Sequence, residues 1–138
     1  MHDCVTDAFI VSSLTRAIES RPKIALYSRV VHLAKGADKY TTEHEVRGDG
    51  YQAGGMLLSG GEVVRIDGGF AVVFSDPVWK NVTVTARGAL VYLGDSADEA
   101  VRVIDFRKEI ISVNGPFTVF LPSAADGGVA TFKNRSNE

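Results

Sequence analysis

The chain has 138 residues, 45% of them hydrophobic, enough for one domain, since a chain near this size buries roughly two thirds of the surface its unfolded form exposes. Its formal net charge of −2 leaves no basic excess to hold a nucleic-acid backbone or an anionic membrane surface. The single cysteine, Cys4, excludes an intrachain disulfide, so packing and hydrogen bonds must hold the fold, which suits assembly in a reducing cytoplasm.

Asp3 and Asp7 stand where a secretory leader would carry lysine or arginine, and no apolar run approaches the ~20 residues that cross a bilayer. Neither secretion by signal peptide nor membrane insertion is expected. Over residues 3–20, Val5, Phe9, Ile10, Leu14, Ala17 and Ile18 recur at three- and four-residue steps, which predicts an amphipathic helix capped by Thr6 or Asp7 and ended by Pro22. The helix is expected to lay its apolar face over the open side of its own sheet; the alternative is an arm, residues 1–21, docked on a neighbouring subunit.

After Pro22 the run from Ile24 to Tyr27, continuing to Val30 and Val31, reads as the first core strand. The polar residues 35–45 predict a loop that leads into a short exposed strand around residues 40–46. Residues 62–66, the turn Asp67-Gly68-Gly69 and residues 70–74 then form a β-hairpin, because glycines supply the positive φ angles that tight turns require. In its second strand Phe70, Val72 and Phe74 share one face and Ala71 and Val73 the other, so cover is expected on both sides.

Asp76-Pro77 breaks that strand. Residues 82–87 alternate cleanly, with Val82, Val84 and Ala86 inward and Thr83, Thr85 and Arg87 outward. Gly88 interrupts before Ala89 to Leu93 resume, which predicts a bulge or a bend where a strand passes between sheets. Residues 101–106 and 117–121 supply two more strands, separated by Asn114-Gly115-Pro116, and residues 129–132 close the fold ahead of a frayed polar tail, residues 133–138. No repeat or linker divides the chain, so residues 22–138 read as one mainly β domain, a β-sandwich or jelly roll of about eight strands.

No catalytic cluster assembles from these residues. His2, His32 and His44 lie apart at no metal-binding spacing, and His44 between Glu43 and Glu45 reads as a solvated charged edge. Ser59 lacks the preceding glycine of a nucleophile elbow. The paired glycines are followed by neither Lys-Ser/Thr nor a helix that would hold a phosphate, and Asp95, Asp98 and Glu99 lack a calcium-loop spacing. Arg47-Gly48-Asp49 reads as a tight polar turn and Asn81-Val82-Thr83 as strand chemistry. Trp79 is expected to anchor a strand edge in the core, with a sugar-stacking or partner-binding role as the alternative.

Four segments in order carry a resemblance: Lys23-Ile-Ala-Leu-Tyr27, then Tyr40-Thr-Thr-Glu-His-Glu-Val-Arg-Gly-Asp-Gly-Tyr-Gln-Ala-Gly-Gly55, then Val78-Trp-Lys-Asn-Val-Thr-Val-Thr-Ala-Arg-Gly-Ala-Leu-Val-Tyr92, then Val103-Ile-Asp-Phe106. Over residues 22–121 the chain resembles a family of small virion structural proteins of tailed bacteriophages, and within it the capsid cement, or decoration, proteins of short-tailed Bordetella phage. That resemblance implies a β-sandwich or jelly-roll body, no enzymatic activity, no cofactor and no metal. It further implies attachment to a major capsid protein shell at the virion's outer surface, after assembly in the host cytoplasm, with a homodimer as the natural bridge across a two-fold seam. Phe9, Leu14, Ile18 and Trp79 are the candidate interface residues under that reading. A tail or fibre component and a carbohydrate-binding module are the alternatives.

Overall fold

A computed structural model describes residues 5–133, so His2, Asp3, Cys4 and the tail residues 134–138 lie outside the described residues. Among the described residues the protein is mainly β, with one long helix and two antiparallel sheets, neither closed on itself. The first sheet has four strands, β1 (Pro22–Tyr27), β2 (Met56–Leu57), β5 (Val78–Leu93) and β6 (Glu99–Thr118), in the order β2-β1-β5-β6. The second has three, β3 (Glu62–Ile66), β4 (Gly69–Val73) and β7 (Ala130–Lys133), in the order β3-β4-β7. That makes seven strands among the described residues, where about eight are expected from the sequence.

Helix α1 (Asp7–Glu19) follows its apolar spacing, and the Thr6 side chain caps it by accepting a hydrogen bond from the Phe9 N–H at 3.2 Å. It packs on β3 and β4 with Ile10 buried, and Asp7 pairs with Arg65 of β3 at 3.1 Å. The helix therefore covers its own sheet.

The hairpin β3–β4 forms as the sequence predicts. Ile66 stands opposite Gly69, which leaves Asp67-Gly68 as a two-residue turn, and Gly68 takes φ +79° there. Both faces of β4 are covered: Phe70 and Val72 on one and Ala71 on the other are all buried. Val72, Phe74 and Ala130 from the smaller sheet and Val91, Leu93 and Val101 from the larger line one small apolar cavity beneath Ala17 of α1.

In the larger sheet β1 and β5 are central, and β1 together with residues 88–92 of β5 is buried on both faces. Ile24 and Leu26 join Val82, Val84, Ala86, Ala89 and Val91 in the main core, which the outward set Thr83, Thr85 and Arg87 does not enter. Ala25 and Tyr27 point the other way into a second core with Val30, Leu33, Leu90 and Tyr92. The excursion between β1 and β2, including the short helix α2 (Val31–Ala34), covers that face.

Four expectations are corrected. Val30 and Val31 do not extend the first strand; they start α2, because Val30 is needed to cap the second core. Residues 40–46 form no strand; their backbone meets β1 at the isolated bridge between Tyr27 and Glu45 and through the Val46 N–H, which donates to the Leu26 carbonyl at 3.0 Å. Gly88 does mark a bulge, since register slips between Ala86 and Gly88, but β5 stays in one sheet throughout. There a Cβ would lie 2.4 Å from Val30 Cγ1 and 2.5 Å from the Ile104 carbonyl oxygen, so close approach rather than a turn selects glycine. Lastly, Asn114-Gly115-Pro116 does not end a strand. It lies inside the 20-residue β6, where Asn114 at φ +48° makes a bulge and its N–H donates to Thr83 Oγ1 at 3.0 Å.

Candidate functional site

The candidate interface residues divide. Phe9 is 59% exposed, whereas Leu14 and Ile18 are half-buried because they face the strands under α1. Trp79 is 6% exposed, its ring 6.1 Å from Tyr51 and 6.3 Å edge-on to Phe117. A tryptophan in that position has no surface left to offer a partner, which corrects its place among the interface residues and agrees with its reading as a core anchor.

A dense polar cluster among the described residues was not visible as such in the sequence. Glu45 is half-buried, unlike its exposed neighbours Glu43 and His44, so it is no solvated edge. The hydroxyls of Tyr40 and Tyr51 donate to its Oε1 and Oε2, each at 2.5 Å, and the Gly54 N–H donates to Oε2 at 2.8 Å. Tyr51 in turn accepts from the Leu26 N–H at 3.0 Å, and Tyr92 donates to the Gly54 carbonyl at 2.6 Å. Tyr27 donates to the Thr41 carbonyl at 2.6 Å, and the Tyr40 and Tyr92 rings stack at 4.8 Å.

These bonds tie residues 40–55 to β1 and β5 as a strap. The glycines of the strap exist for close approach: a Cβ on Gly55 would stand 1.8 Å from the Ile24 carbonyl oxygen, and one on Gly48 the same distance from that of Thr83. Arg47-Gly48-Asp49 thus belongs to a turn pressed against β5, with the Thr83 N–H donating to the Asp49 carbonyl at 2.9 Å. The signal for the strap was the set of tyrosines around one acid in a glycine-rich segment, but which hydroxyls meet Glu45 depends on the sheet beneath.

Burial, and then the negative charge of Glu45 or Asp98 nearby, raises the tyrosine pKa values: that of Tyr92 to about 12, and those of Tyr27, Tyr40 and Tyr51 well above the ordinary value. These hydroxyls stay protonated near neutrality and act as donors. Replacing Glu45 with alanine strands two hydroxyls and one amide, and each stranded buried donor costs about 1–3 kcal/mol. Water reaches a half-buried site in part, so Glu45→Ala is expected to lower stability by about 3 kcal/mol in urea unfolding, with Glu45→Gln retaining more of it.

The fold brings His32 and His44 together, ring centroids 5.0 Å apart. Among the described residues no group of three His, Cys, Asp or Glu side chains has metal-binding geometry. Asp95 of the acidic loop pairs with Arg21 at 3.7 Å, and no helix of the described residues is long and apolar enough to cross a membrane. The four tyrosines are bound into the strap and Trp79 is buried, so none of these five rings stands free for a sugar to stack on.

The most exposed apolar side chains among the described residues lie elsewhere. Ile111 is 67% exposed, Val113 68% and Phe120 79%, all on β6 or just beyond it. Phe106, Ile110, Phe117, Val119 and Phe120 surround an open cavity of about 260 Å³ on this strand. Nothing in the hydrophobic pattern alone separated these residues from core strand residues. No family model, curated protein or solved structure matches the chain.

Proposed function

We propose that this protein is a capsid cement, or decoration, protein of a tailed bacteriophage, with no enzymatic activity, bound to the outer surface of a major capsid protein shell. The observation that supports the reading is a coincidence. The four segments that carry the resemblance are β1, the strap of residues 40–55, β5 and part of β6, and together they build one rigid sheet with its cover. In this reading the two sheets form the body of a jelly-roll-like sandwich.

Such a body works mechanically. Copies sit across seams between capsomers and oppose the outward pressure of packaged DNA, and each contact need only be ordinary in size, ~800 Å² per partner. Repetition over a closed lattice supplies the remaining strength by avidity. The partners are the shell protein and a second copy of this chain, with neither nucleic acid nor membrane contacted directly.

Copy number tests the reading. Purified protein mixed with expanded shells of the phage that encodes it should bind in hundreds of copies per particle, counted by cryo-electron microscopy, and should raise the temperature at which full heads rupture. A handful of copies at one vertex would assign it instead to the tail. Absence from particles altogether would overturn both.

A further inference from the structure

Opposite Thr83 the β5–β6 ladder carries one residue too many. Val84 pairs with Ser112 and Val82 with Gly115, so Val113 and Asn114 together face Thr83 alone. A bulge of this kind takes its extra residue out of the regular ladder. Asn114 stands there exposed at φ +48°, and it is the one asparagine of the sequence followed by glycine.

That glycine differs from Gly48, Gly55 and Gly88, which close approach selects. Gly115 has no left-handed φ, and a Cβ added to it would meet nothing nearer than the Val113 carbonyl oxygen at 3.6 Å. Neither crowding nor backbone angle demands glycine at 115. What the missing side chain leaves is an unhindered main-chain nitrogen next to the asparagine. Thr83 supplies a third part. Its hydroxyl accepts from the Asn114 N–H at 3.0 Å and donates to Asn114 Oδ1 across a long 3.4 Å. The second bond is aimed at the oxygen that gains negative charge when the side-chain carbonyl is attacked.

We infer that Asn114 is a site of spontaneous deamidation in the folded protein, assisted by Thr83. The Gly115 nitrogen gives up its proton to solvent and attacks Asn114 Cγ, which is already held within the adjacent peptide unit. The new N–C bond closes a cyclic imide, and the side-chain amide leaves as ammonia. Water then opens the ring at either carbonyl, giving aspartate or isoaspartate, so one water is consumed for each ammonia released. The product sets a carboxylate beside Val113, in a stretch where no charged side chain occurs between Glu109 and Asp126. The exposed apolar pair Ile111 and Val113 thus gains a negative neighbour as the protein ages, and the isoaspartate form also lengthens the main chain of β6.

Full-length protein held at mildly alkaline pH and mapped by peptide mass spectrometry should convert Asn114 to the two acids. Asn81, also exposed but followed by the buried Val82, should keep its amide. Gly115→Ala should slow the conversion about tenfold, equivalent to ~1.4 kcal/mol on the barrier, with the melting temperature unchanged because the added Cβ has room. Thr83→Val should slow it by about the same factor, and Thr83→Ser, which keeps the hydroxyl, should restore it. A synthetic peptide of residues 110–118 gives the rate of the unfolded segment. A folded chain that keeps Asn114 intact while this peptide loses its amide overturns the inference, and so does a rate that neither Gly115→Ala nor Thr83→Val changes.

Discussion

Raising the pH above about 10 is expected to unfold this protein over a narrow range, because four tyrosines hold their protons in the folded state more tightly than in the unfolded one. A raised folded-state pKa means that the stabilisation is fully present below the unfolded value of about 10 and is lost as pH climbs through the folded values. For Tyr92 the loss ends near the folded value of about 12; for the other three it continues further. In that window each proton held only by the folded state removes about 1.4 kcal/mol per pH unit. Tyr27 and Tyr92 are fully enclosed, while Tyr40 and Tyr51 are half-buried and count for less.

The combined slope is about 3–5 kcal/mol per pH unit, against a total stability of about 5–15 kcal/mol for an ordinary domain. Tyrosinate absorbance and far-ultraviolet circular dichroism should therefore change together, in one transition that starts above about pH 11. Tyrosines that ionise with a midpoint near 10 while the fold persists would show that the strap is open to solvent.

Replacing Gly55 with alanine should cost about 3 kcal/mol or more, for two separable reasons. The residue sits at φ +81°, which an L side chain adopts only with strain, and its Cβ would overlap the Ile24 carbonyl oxygen at 1.8 Å. Relief would require the strap to lift from β1 at the point where Met56 pairs with Ile24. Gly36→Ala isolates the first reason, because φ there is +113° but nothing lies within 4 Å of the added Cβ. Urea unfolding of the pair should show the Gly55 variant the weaker, while Gly36→Ala costs about 1–3 kcal/mol from backbone strain alone. Equal losses would mean that crowding against β1 contributes nothing.

Local signals were legible where the partners are near in sequence. Thr6 and the three- and four-residue apolar steps mark α1, and Asp67-Gly68 between alternating runs marks the β3–β4 hairpin. Alternation placed Val82, Val84 and Ala86 inward, as found. The same signals misled where distant partners override them. Asn114-Gly115-Pro116 has the composition of a turn, yet Thr83 takes the Asn114 N–H, and Ser112 Oγ donates to the Gly115 carbonyl at 3.0 Å, keeping the segment inside β6. Val30 has strand chemistry but is spent as a lid on the second core.

The sequence by itself determined the period of α1 and of the hairpin strands, the turns that two adjacent residues can make, and a composition suited to a mainly β body without a basic excess. Only the tertiary structure decided that Glu45 is a hydrogen-bonding hub rather than a surface charge, that Trp79 faces inward, and that the uncharged end of β6 is left bare. The reason is the reach of the interactions. Helix steps and two-residue turns act between neighbours along the chain, whereas Tyr51 meets Leu26 and Tyr92 meets Gly54 only after the larger sheet has set β1 beside β5 beneath the strap.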